Sequence, residues 1–190
     1  MALLSGPGDV VAETPRLRLR TWREEDVEPF IRHTNEEAVM RWLGGVKSND
    51  DLEAVVRERF MRWQDELGFT FWVVERRDDA ALLGFCGLKR ADGRGSTVAG
   101  ELEIGWRLRE DSWGQGYAKE AATAALAYAF EKVGAERVVA LTVDGNAASW
   151  GLMRRLGMRR RVDLDYVDAN WPETMNPVIV YEMERSAWAS

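Results

Sequence analysis

Six residues, Trp113-Gly114-Gln115-Gly116-Tyr117-Ala118, have the types and spacing to hold a phosphate. Upstream, Glu101 to Leu108 alternates in character and carries Ile104, Trp106 and Leu108, as a half-buried strand does. Downstream, Ala122, Leu126, Ala129, Phe130 and Val133 recur at helical spacing, and Gly134 supplies a stop. A strand that enters a helix through two glycines leaves backbone N–H groups without acceptors at the helix start. Those donors and the helix dipole both favour negative charge. Glycine omits the Cβ that would hold a phosphate away. Ordinary turns use the same residues, but two other phosphate motifs are excluded. Gly-x-x-x-x-Gly-Lys-Ser/Thr is absent, and Lys119 stands where a Gly-x-Gly-x-x-Gly fingerprint needs its third glycine.

The elements that must position this loop are legible on either side of it. A strand is expected over Arg16 to Trp22, a helix from Arg23 to about His33, and a second helix from Asp50 to Leu67 closed by Gly68. Strands over Phe69 to Arg76 and Ala81 to Lys89 are joined by Arg77-Asp78-Asp79, and a flexible hairpin loop spans Arg90 to Gly100. After the glycine loop and its helix come a strand at Arg137 to Val143, a helix at Asn146 to Leu156 closed by Gly157, and strands over Arg159 to Val167 and Val178 to Met183. Residues 1 to 14 are expected to be a loose tail before one domain over 15 to 190.

Bulk properties exclude several classes. No run approaches the roughly 20 apolar residues of a membrane helix, and the N-terminus lacks the basic and apolar regions of a signal peptide, so the cytoplasm is expected. A formal net charge of -6 argues against a nucleic-acid binder. The single cysteine, Cys86, excludes an internal disulfide and a cysteine metal cluster, and no metal is expected. Its place inside a strand pattern reads as a buried thiol. His33, the one histidine, has nothing around it that completes a nucleophilic triad.

The glycine loop resembles the pyrophosphate loop of the GNAT acetyltransferases, Gln/Arg-x-x-Gly-x-Gly/Ala, with Trp113 departing from the first position. Trp113 followed by Gly-Gln-Gly-Tyr-Ala-Lys-Glu-Ala resembles the branch that acetylates N-terminal alanines of ribosomal proteins. Pro15-Arg16-Leu17-Arg18-Leu19-Arg20, Phe71-Trp72-Val73-Val74, Gly84-Phe85-Cys86-Gly87-Leu88, Ile104-Gly105-Trp106-Arg107-Leu108 and Asn146-Ala147-Ala148-Ser149 follow in the family's order. The resemblance covers about residues 14 to 188. It implies an α/β (α+β) GNAT fold: a mixed central sheet of about seven strands with helices on both faces.

The same resemblance implies an acetyl-CoA-dependent N-acetyltransferase acting on a primary amine, foremost a peptide N-terminus. A small amine such as a polyamine or antibiotic is the first alternative, and a non-catalytic acyl-CoA-binding module the second. Acetyl-CoA would be held by Trp113, Gly114, Gln115, Gly116, Tyr117 and Ala118, by the strand backbone at Trp106, Arg107 and Leu108, and by Asn146 and Ser149. An ammonium must lose a proton before attack, since an α-amine has a pKa of about 7.7–8.0. Glu103 is the expected base: Glu101, Glu103, Gly105 and Arg107 share one strand face, and Leu102, Ile104, Trp106 and Leu108 the other. A bulge between Glu103 and Leu108 would shift that phase. The tyrosine acid of many relatives falls at Met153, so Ser149 is the expected proton donor, with Asn146 both helix cap and cofactor contact. Trp42 and Trp171 are expected at the acceptor site, where cation–π contact suits an ammonium. The last strand, Val178-Ile179-Val180-Tyr181, lacks the histidine motif of the ribosomal-protein branch. Dimers are frequent among such proteins.

Overall fold

The computed structural model describes residues 6 to 188. One sheet of eight strands organises them: β1 (Val10–Glu13), β2 (Leu17–Arg20), β3 (Phe71–Arg76), β4 (Leu82–Arg90), β5 (Leu102–Leu108), β6 (Arg137–Val143), β7 (Arg159–Arg160) and β8 (Val178–Glu184), in the order β1-β2-β3-β4-β5-β6-β8-β7. Every pairing is antiparallel except β5 with β6, which is parallel. A parallel neighbour needs a crossover. Here it is α5 (Tyr117–Ala127), continued by a π-helical turn over Tyr128–Val133.

Strand alternation assigns the two faces. Leu17, Leu19, Trp72, Val74, Leu102, Ile104 and Leu108 join the buried cluster under α5 and α6 (Ala147–Arg155). Phe71, Val73 and Phe85 point to the other face, where Phe30 and Ile31 of α1 (Val27–Thr34) and Leu52 of α3 (Asn49–Val55) cover them. A short α2 (Glu37–Met40) lies between α1 and α3, and α7 (Arg185–Trp188) follows β8. The helix expected over Asp50 to Leu67 forms as α3, a π-helical turn over Val56–Met61, and α4 (Arg62–Leu67). Ser48 caps its start by accepting from the Asp51 N–H at 3.1 Å, and Gly68 ends it at φ 75°.

The N-terminal half is pinned by a buried charge network. Arg20, 4% exposed, donates to both carboxylate oxygens of Asp26 at 2.7 and 2.8 Å and to Glu75 at 2.7 Å. The fork geometry of guanidinium lets one cation satisfy two acids from different elements.

The sheet departs from expectation in two places and keeps to it in a third. Val10–Glu13, read as part of a loose tail, is an edge strand whose backbone pairs with β2, which makes eight strands rather than about seven. The remainder of that tail before Gly6 lies outside the described residues. The strand expected over Arg159 to Val167 stops at Arg160. Arg161 pairs with Asp163 across a 3-10 turn (Val162–Leu164), and only Tyr166 bridges back to Val178. Thirdly, the register of β4 on β5 runs unbroken from Arg90↔Leu102 to Gly84↔Leu108, so no bulge disturbs the phase of Glu103.

Candidate active site

The parallel strands β5 and β6 pair only at Leu102↔Val138 and Glu103↔Val139. Beyond Glu103 they part, and the edge of β5 from Ile104 to Leu108 has no strand beside it. Unpaired strand edge is a template for another extended chain. Glu103 stands at the vertex of this split.

The glycine loop lies just past the open end of β5. Gly114 and Gly116 have φ of 72° and 82°, a region costly to residues with a Cβ. Trp113, expected among the cofactor contacts, is half exposed and ties the loop back to the strand, its indole N–H donating to the Leu108 carbonyl at 2.9 Å. Arg16 takes the Gln115 carbonyl at 2.9 Å, pairs with Glu120 and stacks over the Tyr117 ring at 4.5 Å. With that carbonyl turned aside, the backbone N–H groups from Gly114 to Lys119 donate to no acceptor among the described residues. Gly116 is the N-cap of α5 and no side-chain bond caps that end. Open donors at the start of an eleven-residue helix fit a pyrophosphate, and the free β5 edge fits an amide-bearing arm beside it. Sequence reasoning missed Arg16; its signal is its place between Pro15 and the start of β2.

Glu103 is half-buried between two apolar patches of one face, Phe71 and Phe85 on one side and Val139 and Val180 on the other. Lys89 stands directly opposite it on β4. The Lys89 ammonium lies 3.2 Å from Oε2, an ion pair, and that buried oxygen has no other partner. Burial pushes the Glu103 carboxyl up to about 6, against the pull of the Lys89 charge. Lys89 also holds Asp92. The Tyr166 hydroxyl and Asp168 Oδ2 converge on Gly93, within 2.6 and 2.8 Å of where its Cβ would stand. Burial raises the Tyr166 phenol, with the Glu103 and Asp168 charges adding to the effect. Lys89 and Tyr166 escaped the sequence reading because both depend on register and on loop return.

Asn146 caps α6, accepting from the Ser149 N–H at 3.3 Å, and that bond occupies its side-chain oxygen. The half-buried Ser149 side chain has no hydrogen bond among the described residues, while Met153 is buried in the core. Trp42 and Trp171 each pack over a glycine. A Cβ on Gly145 would lie 2.5 Å from the Trp42 ring, and one on Gly44 would lie 2.8 Å from the Trp171 ring. Trp42 therefore packs against the turn that leads into α6. Burial, with the Arg109 charge, holds the pKa of His33 down. Cys86 is buried and its thiol pushed up by burial, an inert state. A groove of about 760 Å³ between β1 and α5, lined by Val11, Ala12, Ala124, Ala127, Tyr128 and Trp188 among others, meets the glycine loop only at Gly116.

Among the described residues, no helix is long and apolar enough to cross a membrane, and no group of three His, Cys, Asp or Glu side chains is placed to hold a metal ion.

Comparison with known proteins agrees with this geometry. Residues 16–159 match the acetyltransferase (GNAT) domain. YkkB of Bacillus subtilis, an uncharacterized protein, is 30% identical over 89% of this chain and 92% of its own length. An uncharacterized N-acetyltransferase of the same organism, YnaD, is 29% identical over 77% of this chain and 81% of its own. Among solved structures, a GNAT-family acetyltransferase from Bacillus anthracis superposes with TM-score 0.73 at 24% identity, covering 93% of this chain and 98% of that one. A provisionally assigned ribosomal-protein-serine acetyltransferase from Vibrio cholerae superposes with TM-score 0.72 at 19% identity, covering 94% and 99%. The splayed strands thus have a family: the chain belongs to the GNAT acetyltransferases, and acetyl-CoA is its acyl donor.

Proposed function

We propose that this protein N-acetylates a primary amine, with Glu103 as the base that takes the ammonium proton and a peptide N-terminus as the foremost acceptor. The observation that carries the reading is the position of Glu103 at the vertex where β5 and β6 part, with a carboxyl burial has moved up to about 6. A base with that pKa is ionised at neutral pH yet far more basic than an exposed carboxylate, which suits general-base work. When bound, acetyl-CoA supplies the activated acetyl thioester. The N–H groups of Gly114 to Lys119 hold its pyrophosphate, and the Ile104 to Leu108 edge aligns its pantetheine arm. A free N–H on that edge stabilises developing negative charge, an effect often worth ~3 kcal/mol. Ser149, whose hydroxyl has no other bond, returns a proton to the departing sulfur. Trp42 and Trp171 contact the acceptor.

The peptide acceptor is supported by the likeness of Trp113 to Ala118 to the ribosomal-protein branch. A small-amine acceptor has its own support in an Aspergillus fumigatus relative, an FsC-acetyl coenzyme A-N(2)-transacetylase, 33% identical over 45% of this chain. Free thiol release from acetyl-CoA should be followed with Ala- and Ser-starting peptides, a lysine peptide, polyamines and an aminoglycoside. Release with the N-terminal peptides alone supports the foremost reading, and release with small amines alone replaces it. Silence with every amine, cofactor binding being intact, overturns the enzymatic role.

A further inference from the structure

On the Glu103 face of β5, two residues nearer the open end than Gly105, stands Arg107. Its guanidinium lies 5.3 Å from the Phe85 ring centroid and 5.6 Å from that of Phe30. It forms no ion pair and no hydrogen bond among the described residues, and its Nε is buried without an acceptor. Other arginines at least partly buried do have acids: Arg20 holds Asp26 and Glu75, Arg160 holds Asp165, and Arg161 holds Asp163 and Glu182. Burial alone pulls the Arg107 pKa down to about 10, with no acid opposing it. Two aromatic faces stabilise a cation by only ~1–2 kcal/mol each, which is small beside the cost of a desolvated charge. Between Glu103 and Arg107 the strand carries only Gly105, where a Cβ would come within 2.9 Å of the Phe71 ring. A base and an unmatched cation therefore share one strand face, with Gly105 and the Phe71 ring over it between them, their Cα atoms about 13 Å apart at ~3.3 Å per residue.

We infer that Arg107 is an acceptor-recognition residue, and that the acceptor is an amine that also carries a carboxylate several bonds away, its ammonium at Glu103 and its carboxylate at Arg107. The inference rests on the amine-acetylation reading above and narrows its substrate class. The carboxylate has two sources: the end of a small ω-amino acid, or an acidic side chain near a peptide N-terminus.

The test uses matched acceptors. A series of ω-amino acids is compared with alkylamines of equal length, and N-terminal peptides bearing Glu at the second position with those bearing Gln. Wild-type protein should favour the acid-bearing member of the right series by roughly 10–100-fold in kcat/KM, the range a hydrogen bond to a charged group spans. Arg107→Gln should lose that preference through KM, so that acid-bearing and neutral acceptors of equal length become equal substrates of the variant. Which series shows the preference names the source. The second readout needs no turnover: N-acetylated products, with and without the carboxylate, are titrated onto the protein in the presence of CoA by calorimetry. Equal product affinities, or equal kcat/KM for acid and neutral amines, overturn the inference while leaving amine acetylation intact. A drop in acetyl-CoA affinity in Arg107→Gln overturns it by assigning the guanidinium, and not only the backbone, to the cofactor. No turnover with any amine, together with carboxylate-selective product binding, instead sinks the acetylation reading and retains the site.

Discussion

Lys89 faces Glu103 across the β4–β5 ladder, its ammonium 3.2 Å from a carboxylate oxygen that has no other partner. Charge pairing and burial act on Glu103 in opposite senses, and burial wins. Removing the cation should let burial act unopposed. In Lys89→Met, the midpoint of the low-pH limb of kcat/KM should move up by ~1 unit. An unmoved midpoint in a folded variant would show that Lys89 does not act on Glu103.

The same carboxyl ties stability to pH. Its folded pKa is raised from 4.5 to about 6, so its contribution is fully present below pH 4.5 and is lost as pH rises through about 6. The loss amounts to about 2 kcal/mol at 1.36 kcal/mol per unit. Urea unfolding of wild type and Glu103→Gln at pH 4.5 and 7 should therefore show the variant gaining on the wild type by that amount as pH rises.

The two loop glycines should respond differently to alanine. Gly114 has nothing within 4 Å of its Cβ position, so Gly114→Ala meets only the left-handed backbone strain, ~1–2 kcal/mol. Gly116→Ala meets the same strain and also places a methyl 3.4 Å from Arg16 Nη2, at the mouth of the helix donors. Calorimetry should find acetyl-CoA binding weakened about tenfold in Gly116→Ala, one lost contact of ~1.4 kcal/mol, beyond any loss in Gly114→Ala.

Arg20 is structural. Arg20→Met should leave buried Asp26 without a cation and Glu75 with only Arg18 at 3.6 Å, and cost about 3–5 kcal/mol in urea unfolding. Activity per folded molecule should be retained, because the network lies on β2, β3 and the turn before α1 rather than at the split.

Local chemistry made much of this legible. The Gly114-x-Gly116 loop follows from glycine's freedom at positive φ, and Gly68, Gly134 and Gly157 end their helices with φ of 75°, 77° and 87° as stops should. The face of Glu103 followed from strand period alone. What stayed hidden depends on distant pairing. Val10–Glu13 is four residues long, with no residue buried, so no periodicity marks it. The vertex at Glu103 exists because β6 returns to pair at two positions only, and Lys89 reaches Glu103 through a register set by the length of the intervening loop. Arg107 was expected to act through its backbone alone, and that its guanidinium has no acid is visible only in the fold.

The most direct test of Glu103 as the base is the pH dependence of kcat/KM in wild type and Glu103→Gln, alongside acetyl-CoA affinity. Wild-type activity should fall below a midpoint near pH 6, where the carboxyl gains its proton. The variant should lose roughly 10²–10⁴-fold in rate and that limb of the profile, while binding acetyl-CoA as before. A variant that keeps both the rate and the limb would show that the proton leaves the ammonium by another route.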